Sequence, residues 1–309
     1  MKNFIDLKNL PASDLRKILN DAKKRKKLRN KLNTLDVDKG SPLKGKLLIQ
    51  MFEKSSLRTR LSFYLAIKQL GGSTLTLRPD ELHLSTGGES IEDTSKILST
   101  FGNAFMLRTD DDKKIDEFKK FLSIPIINGL SPSSHPTQIL SDIFTVEEIK
   151  KKSVSKLNIA WIGDSNNVLN SLIAASVKFS FRLNVGCPKK YQPDKKILDW
   201  AKKFNKKIYI FNDPKKAVLD ADVIFSDKVI SLNDKVNKKK KLKHFERFKI
   251  TKKLIGYARK DCIFLHCLPR GKEVDENVFY SKQSKVWHQA FNRVHVQKSI
   301  LLYCFGKLR

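Results

Sequence analysis

The chain has 309 residues, 40% of them hydrophobic and 19 of them Phe, with 62 Lys and Arg against 32 Asp and Glu for a net charge of +30. That apolar content can build a core for one large or two ordinary domains, which excludes a disordered polyelectrolyte. No apolar run approaches the roughly 18–20 residues of a membrane helix, and the segment from Met1 to Asp6 lacks an apolar signal core, so a cytoplasmic protein with no membrane partner is expected.

Lysine is spread from Lys2 to Lys307, and only Lys238-Lys239-Lys240-Lys241 forms a dense run. Such a run reads as a solvated face. A basic nucleic-acid-binding protein is the alternative from another class, but no aromatic-interleaved basic motif accompanies the charge, so nucleic acid is not expected as a partner. The positive field would still attract a small anionic substrate. Cys187, Cys262, Cys267 and Cys304 show no CxxC spacing, which points to reduced thiols and no zinc site.

Short apolar runs predict strands over 46–52, 73–77, 104–108 and 124–128, then over 157–162, 182–185, 207–211, 222–225 and 262–266. Amphipathic stretches between them predict helices, among them 59–70, ended by Gly71-Gly72, and 90–101, opened by the cap-like pair Ser90 and Asp93. A longer helix is expected from Pro136 to about 151, and a terminal one from Asn292 to about 305. Strands alternating with helices imply parallel sheets covered on both faces. The expected architecture is α/β, with two doubly wound parallel-sheet domains joined by interdomain helices. The divisions read as 1–135, a linking helix over 136–151, 152–290, and a C-terminal helix over 291–309 packing back on the first domain.

Ligands of open parallel sheets bind at the carboxyl ends of the strands, and the chemically informative residues fall there repeatedly. Ser56-Leu57-Arg58-Thr59-Arg60 lies between a strand and a helix, where the positive helix end, two hydroxyls and guanidinium groups suit a phosphate. An ordinary N-cap with surface arginines is the alternative. Arg108 ends its strand, and His135-Pro136-Thr137-Gln138 offers an imidazole and an amide at a helix start. Gly163-Asp164-Ser165-Asn166-Asn167 follows a strand without the GxGxxG spacing of a dinucleotide loop. Asp227 with Ser231-Leu232, His266-Cys267-Leu268-Pro269-Arg270, and Asn292-Arg293 complete the series.

In this order and spacing, Ser-x-Arg-Thr-Arg, His-Pro-x-Gln, Asp-x-x-x-Ser and His-Cys-Leu-Pro resemble the aspartate/ornithine transcarbamylase family over nearly the whole chain, and the last two point to its ornithine branch. The resemblance implies transfer of a carbamoyl group from carbamoyl phosphate to the side-chain amine of L-ornithine, giving citrulline and phosphate, with no metal or organic cofactor. It implies a homotrimer serving arginine biosynthesis. By the same resemblance Ser56, Arg58, Thr59 and the Leu57 backbone would hold the phosphate, and Arg108 would bridge it to the carbonyl oxygen. His135 and Arg293 would polarise that carbonyl, while Gln138 and the Leu268 carbonyl would hold the carbamoyl amide. His83 would reach the site of a neighbouring subunit. Asn167, Asp227, Ser231 and Leu232 would orient ornithine, with Asp227 and Cys267 near its amine. The chain departs from the family pattern at Leu57, where threonine is usual, at Leu232-Asn233 in place of Met-Gly, and at Val229, where tryptophan is frequent. These departures bear on the acceptor more than on the reaction, and leave a sister enzyme acting on putrescine or acetylornithine as the alternative.

Overall fold

The structure, a computed structural model, describes residues 1–78, 88–230 and 237–308. The chain divides into two compact units, Met1–Phe144 with Phe291–Arg309, and Thr145–Ala290. In chain order the first part holds α1 (Ala12–Leu28), β1 (Leu47–Phe52), α2 (Leu57–Gln69), β2 (Ser73–Leu77), α3 (Ile91–Phe101), β3 (Ala104–Arg108), α4 (Asp112–Phe121), β4 (Ile126–Leu130) and α5 (Pro136–Lys150). There follow β5 (Asn158–Ile162), α6 (Asn167–Phe179), β6 (Arg182–Gly186), α7 (Lys195–Phe204), β7 (Ile208–Phe211), α8 (Pro214–Val218) and β8 (Val223–Asp227). The last elements are α9 (Lys238–Phe245), α10 (Lys252–Ile255), β9 (Ile263–Cys267), α11 (Glu276–Phe279) and α12 (Val286–Cys304).

The strands form two parallel sheets, ordered β2-β1-β3-β4 and β7-β6-β5-β8-β9, with helices between successive strands, which is the expected α/β class. In each sheet the chain winds outward in one direction and then in the other. The reversal lies between β1 and β3 in the first and between β5 and β8 in the second. Loops leaving the carboxyl ends of such a strand pair diverge and leave a crevice. In the first unit Met51, Phe105, Leu107, Ile115, Phe118 and Ile126 share one core, and the Phe105 and Phe118 rings lie 5.1 Å apart. Ile162, Ile224, Phe264, Val274 and Phe279 belong to the core of the second.

Three elements differ from the sequence expectation for identifiable reasons. Strand β4 runs two residues further along the chain than its apolar run, because Gly129 is a strand residue rather than a turn. A Cβ there would collide with the Met106 sulfur of the neighbouring strand, so the position needs glycine for close approach. Strand β8 extends to Asp227 through Ser226, whose buried hydroxyl donates to the Ile162 carbonyl at 2.7 Å. Helix α12 begins at Val286, six residues before the expected start, so Asn292 and Arg293 lie in its second turn. Gln289, Asn292, Arg293, Gln297 and Lys298 are all buried, and this polar buried side hides the helical period from a hydrophobicity reading.

Part of that buried polarity is an ion cluster. The Asp38 carboxylate lies 2.7 Å from Arg29 Nη1, 2.9 and 3.1 Å from Lys298 Nζ, and 3.6 Å from Arg25 Nη1. Lys298 is 0% exposed, and burial, partly opposed by Asp38, pulls its ammonium down to about 8. Removing one partner of a buried pair leaves the other charge uncompensated. Asp38→Asn is therefore expected to destabilise the fold by about 3–5 kcal/mol, measured as a lowered urea midpoint.

Candidate active site

In the first unit, register pairs Phe52 with Arg108, so the loop leaving β1 lies beside the end of β3. Ser56 occupies the N-cap position of α2 but makes no side-chain cap; its Oγ instead accepts from Arg108 Nη1 at 3.0 Å. The reading of this residue as an ordinary cap is thereby replaced. Thr59 is buried in the first turn, where its Oγ1 accepts from Arg293 Nη2 at 2.7 Å. Arg293 Nη1 donates to Gln138 Oε1 at 2.9 Å, and Gln138 Nε2 donates to Asp142 Oδ1 at 2.8 Å. The structure thus brings Ser56, Thr59, Arg108, Gln138 and Arg293 together from four separate stretches of sequence. Arg60 turns its guanidinium over the Phe52 ring, 5.1 Å from the centroid. Leu57 is 69% exposed, so the side chain standing in place of threonine makes no buried contact.

His135 is buried at the start of α5. Burial, followed by the charges of Arg293, Arg108 and Arg58, holds its pKa well below the usual histidine range. A neutral imidazole among three guanidinium groups lets the cluster donate hydrogen bonds from the ring without adding a further charge. With the positive end of α2 alongside Arg58 and Arg108, this arrangement suits a phosphate group joined to a polar carbonyl.

In the second unit, the loop after β5 leaves through Gly163, whose φ of +150° disfavours other residues. Asn166 caps α6, its Oδ1 accepting from Val168 N at 3.0 Å and Leu169 N at 3.1 Å. Its Nδ2 donates to Asp227 Oδ2 at 2.7 Å. Asn167, the predicted member of this pair, is the first helical residue. Asp227 and Cys267 are the last residues of β8 and β9 and stand opposite one another in register. Burial pushes the Asp227 carboxyl up to about 6, against the opposing influence of His266, the Lys228 backbone N–H and Asn166. His266 Nε2 lies 3.0 Å from Glu273 Oε1, which also accepts from Gly271 N at 2.6 Å, while Gln289 Oε1 accepts from His266 N at 3.0 Å. Burial works against the charge of Glu273, but its bonds to His266 and Gly271 hold its carboxyl below the ordinary value. Leu268 is joined to Pro269 by a cis peptide bond.

Sequence reasoning missed Asn166 and the His266–Glu273 pair. Of two adjacent asparagines before a helix, composition does not say which one caps. A histidine and a carboxylate seven residues apart form no local signature. His83, Ser231 and Leu232 lie outside the described residues. Among the described residues no cluster of three or more His, Cys, Asp or Glu side chains is arranged to hold a metal ion, and no helix is long and apolar enough to cross a membrane.

Comparison with known proteins gives matches over nearly the whole chain. Residues 2–148 match the carbamoyl-P binding domain, and residues 155–304 the Asp/Orn binding domain, of aspartate/ornithine carbamoyltransferase. The ornithine carbamoyltransferase of Agrobacterium fabrum is 40% identical over 307 residues, covering 99% of this chain and 98% of that protein. Among solved structures, the anabolic ornithine carbamoyltransferase of Campylobacter jejuni superposes with a TM-score of 0.90 at 35% identity, covering 99% of this chain and 100% of that one. The Pyrococcus furiosus ornithine carbamoyltransferase also gives 0.90, at 37% identity, over 97% and 96% of the two chains.

The state of His135 can be tested directly. An unperturbed histidine titrates near 6.5, so its Cε1–H resonance is expected to stay constant from pH 8 to 5.5 in NMR spectra of the folded protein. Because the folded pKa is depressed, its contribution to stability is full above about 6.5 and is lost as pH falls toward the folded value.

Proposed function

The chain belongs to the aspartate/ornithine carbamoyltransferase family, and on that premise we propose that it converts carbamoyl phosphate and L-ornithine to L-citrulline and phosphate. The observation that carries this reading is the neutral His135 set among Arg58, Arg108 and Arg293, with Ser56, Thr59 and Gln138 tied into the same cluster. Ser56, Arg58, Thr59 and the Leu57 backbone hold the phosphate in this proposal. Arg108 bridges the phosphate to the carbonyl oxygen, which His135 and Arg293 polarise, and Gln138 and the Leu268 carbonyl take the carbamoyl amide. Asn167, Asp227, Ser231 and Leu232 orient ornithine, with Asp227 and Cys267 toward its side-chain amine. His83 is assigned to the site of a neighbouring subunit. The ornithine assignment is supported by the His-Cys-Leu-Pro motif and by the relatives' activity. The same kinship supports reading it as a cytoplasmic homotrimer acting in arginine biosynthesis.

The chemistry assigns each group a distinct task. A lysine-like amine has a pKa near 10.4, so only about four molecules in ten thousand are neutral at pH 7, equivalent to about 4–5 kcal/mol. With its carboxyl pushed up to about 6, Asp227 is mostly ionised at pH 7 and can accept a hydrogen bond from the attacking nitrogen. It cannot itself lower the amine pKa, since a negative neighbour favours the ammonium form. The nitrogen forms a bond to the carbamoyl carbon, negative charge builds on the carbonyl oxygen, and the bond from carbon to the phosphate oxygen breaks. Phosphate leaves with the amine proton. Donors fixed in advance around the developing oxyanion supply the stabilisation, each worth about 3–4 kcal/mol where geometry matches.

Phosphate release and citrulline formation, measured with ornithine, putrescine, N-acetylornithine and aspartate in parallel, test the assignment. Citrulline formed selectively from ornithine is expected, and turnover restricted to another amine would overturn the acceptor. Requirement for the neutral amine predicts that kcat/KM for ornithine rises roughly tenfold per pH unit between 7 and 9. Below pH 6 the decline steepens as Asp227 becomes protonated. Arg58→Ala is expected to lower kcat/KM for carbamoyl phosphate by at least about a hundredfold with an unchanged circular dichroism spectrum. Near-normal turnover would show that the phosphate site lies elsewhere.

A further inference from the structure

One lysine of the basic run is not on the surface. Lys238, Lys239 and Lys240 are exposed, whereas Lys241 is 5% exposed, with its Nζ paired to the Asp164 carboxylate. The expectation of a uniformly solvated face therefore fails at its last residue. Helix α9 has little intrinsic reason to form, because four lysines crowd its first turn and oppose the helix dipole. Asn237 supplies a cap to Lys240 N, and the rest of the hold is tertiary. The Tyr191 ring lies 5.7 Å from Lys241 Nζ and packs against His244 and Phe245 of the same helix at 5.5 and 5.0 Å.

Asp164, the partner, lies in the loop joining β5 to α6, directly after Gly163. Its backbone carbonyl accepts from Trp161 Nε1 at 3.2 Å, and two residues later Asn166 donates to Asp227. The loop is thus fastened by the Trp161 indole, by Lys241 and by Asp227. The Asp164 carboxylate is largely buried, with a side-chain exposure of 13%. Replacing Lys241 takes from this buried carboxylate the cation paired to it from α9. Loss of the contact from either side removes one of the loop's three fastenings, and the freedom gained loosens the hold of Asn166 on Asp227.

We propose that Lys241 is a positioning residue that, through Asp164, fixes the loop between β5 and α6 and so sets Asn166 and Asn167 beside Asp227 for the amino-acid substrate. The inference rests on the assignment of Asn167 and Asp227 to ornithine. It touches neither substrate nor reacting atoms itself, so its signature is a split between the two Michaelis constants. In Lys241→Met the KM for ornithine is expected to rise about tenfold or more, while that for carbamoyl phosphate stays unchanged. Lys241→Arg keeps the pair and restores the ornithine KM. Asp164→Asn reproduces the defect, and the double variant Lys241→Met/Asp164→Asn is no worse than either single change, as a shared interaction requires. Lys240→Met, one residue away, leaves both constants as they were.

An unchanged ornithine KM in Lys241→Met, or an equal rise in Lys240→Met, overturns the proposal. Should Lys241→Met fail to fold, Asp164→Asn and the double variant carry the same comparison without leaving a buried anion. The Asn166 side-chain amide resonance gives a readout independent of turnover: it shifts in Asp164→Asn and in Lys241→Met, and stays in Lys240→Met. A resonance unmoved by either pair variant also overturns the proposal. Absence of ornithine turnover in the unaltered protein would sink the acceptor assignment instead, and the amide resonance would still decide the role of Lys241.

Discussion

A buried guanidinium is costly unless its N–H groups find acceptors, and Arg293, 2% exposed within α12, donates from its two terminal nitrogens to Thr59 on α2 and to Gln138 on α5. Those two bonds tie α2 to the first-unit portions of α5 and α12. The same positive charge adds to burial in keeping His135 neutral, so one residue contributes to both the geometry and the protonation state of the cluster. Helix α12 makes further connections of this kind along its length. Lys26 donates to Asn292, Lys298 pairs with Asp38, Ser299 donates to Asp21, and Tyr303 donates to Asp14. These directional bonds act beside the buried Val294, Val296, Ile300, Leu301 and Leu302 of the same helix, and they specify a rotation and a height that hydrophobic contact leaves open.

The second unit reaches comparable order by a different device. Burial raises the carboxyl of Asp227, whereas the bonds from His266 and Gly271 lower that of Glu273. Two acidic groups near the ends of β8 and β9 are thereby set apart in their readiness to hold a proton. The sheet order places Asp227 at the strand reversal, beside the loop that carries Asn166. Topology and electrostatics thus meet at one point, as they do around Ser56 and Arg108 in the first unit.

Much of this is legible in the amino-acid sequence itself. The apolar runs located the strands, because parallel strands buried on both faces must be nearly continuous in hydrophobicity. Ser56, Thr59, Arg108, His135 and Gln138 were visible because each follows a strand end or opens a helix, where local rules apply. What escaped the reading was set by partners distant in sequence. The expected strand stops at 128, and the place of Gly129 in β4 is set by its close approach to Met106 on the neighbouring strand. The true start of α12 was hidden by polar residues whose partners lie on α1 and on the Asp38 segment. Lys241 looked like its three neighbours, and only the loop holding Asp164 distinguishes it.

The in-register pairing of Asp227 with Cys267 carries a consequence for how such a site can change. Adjacent strands stand about 4.8 Å apart whatever side chains they carry, so the spacing of these two groups belongs to the hydrogen-bonded ladder and not to either residue. Either side chain can be exchanged while the scaffold continues to deliver a group to the same place. An ancestral binding edge of this kind can thus be re-lettered one position at a time, with preference among acceptors drifting on a frame that stays still.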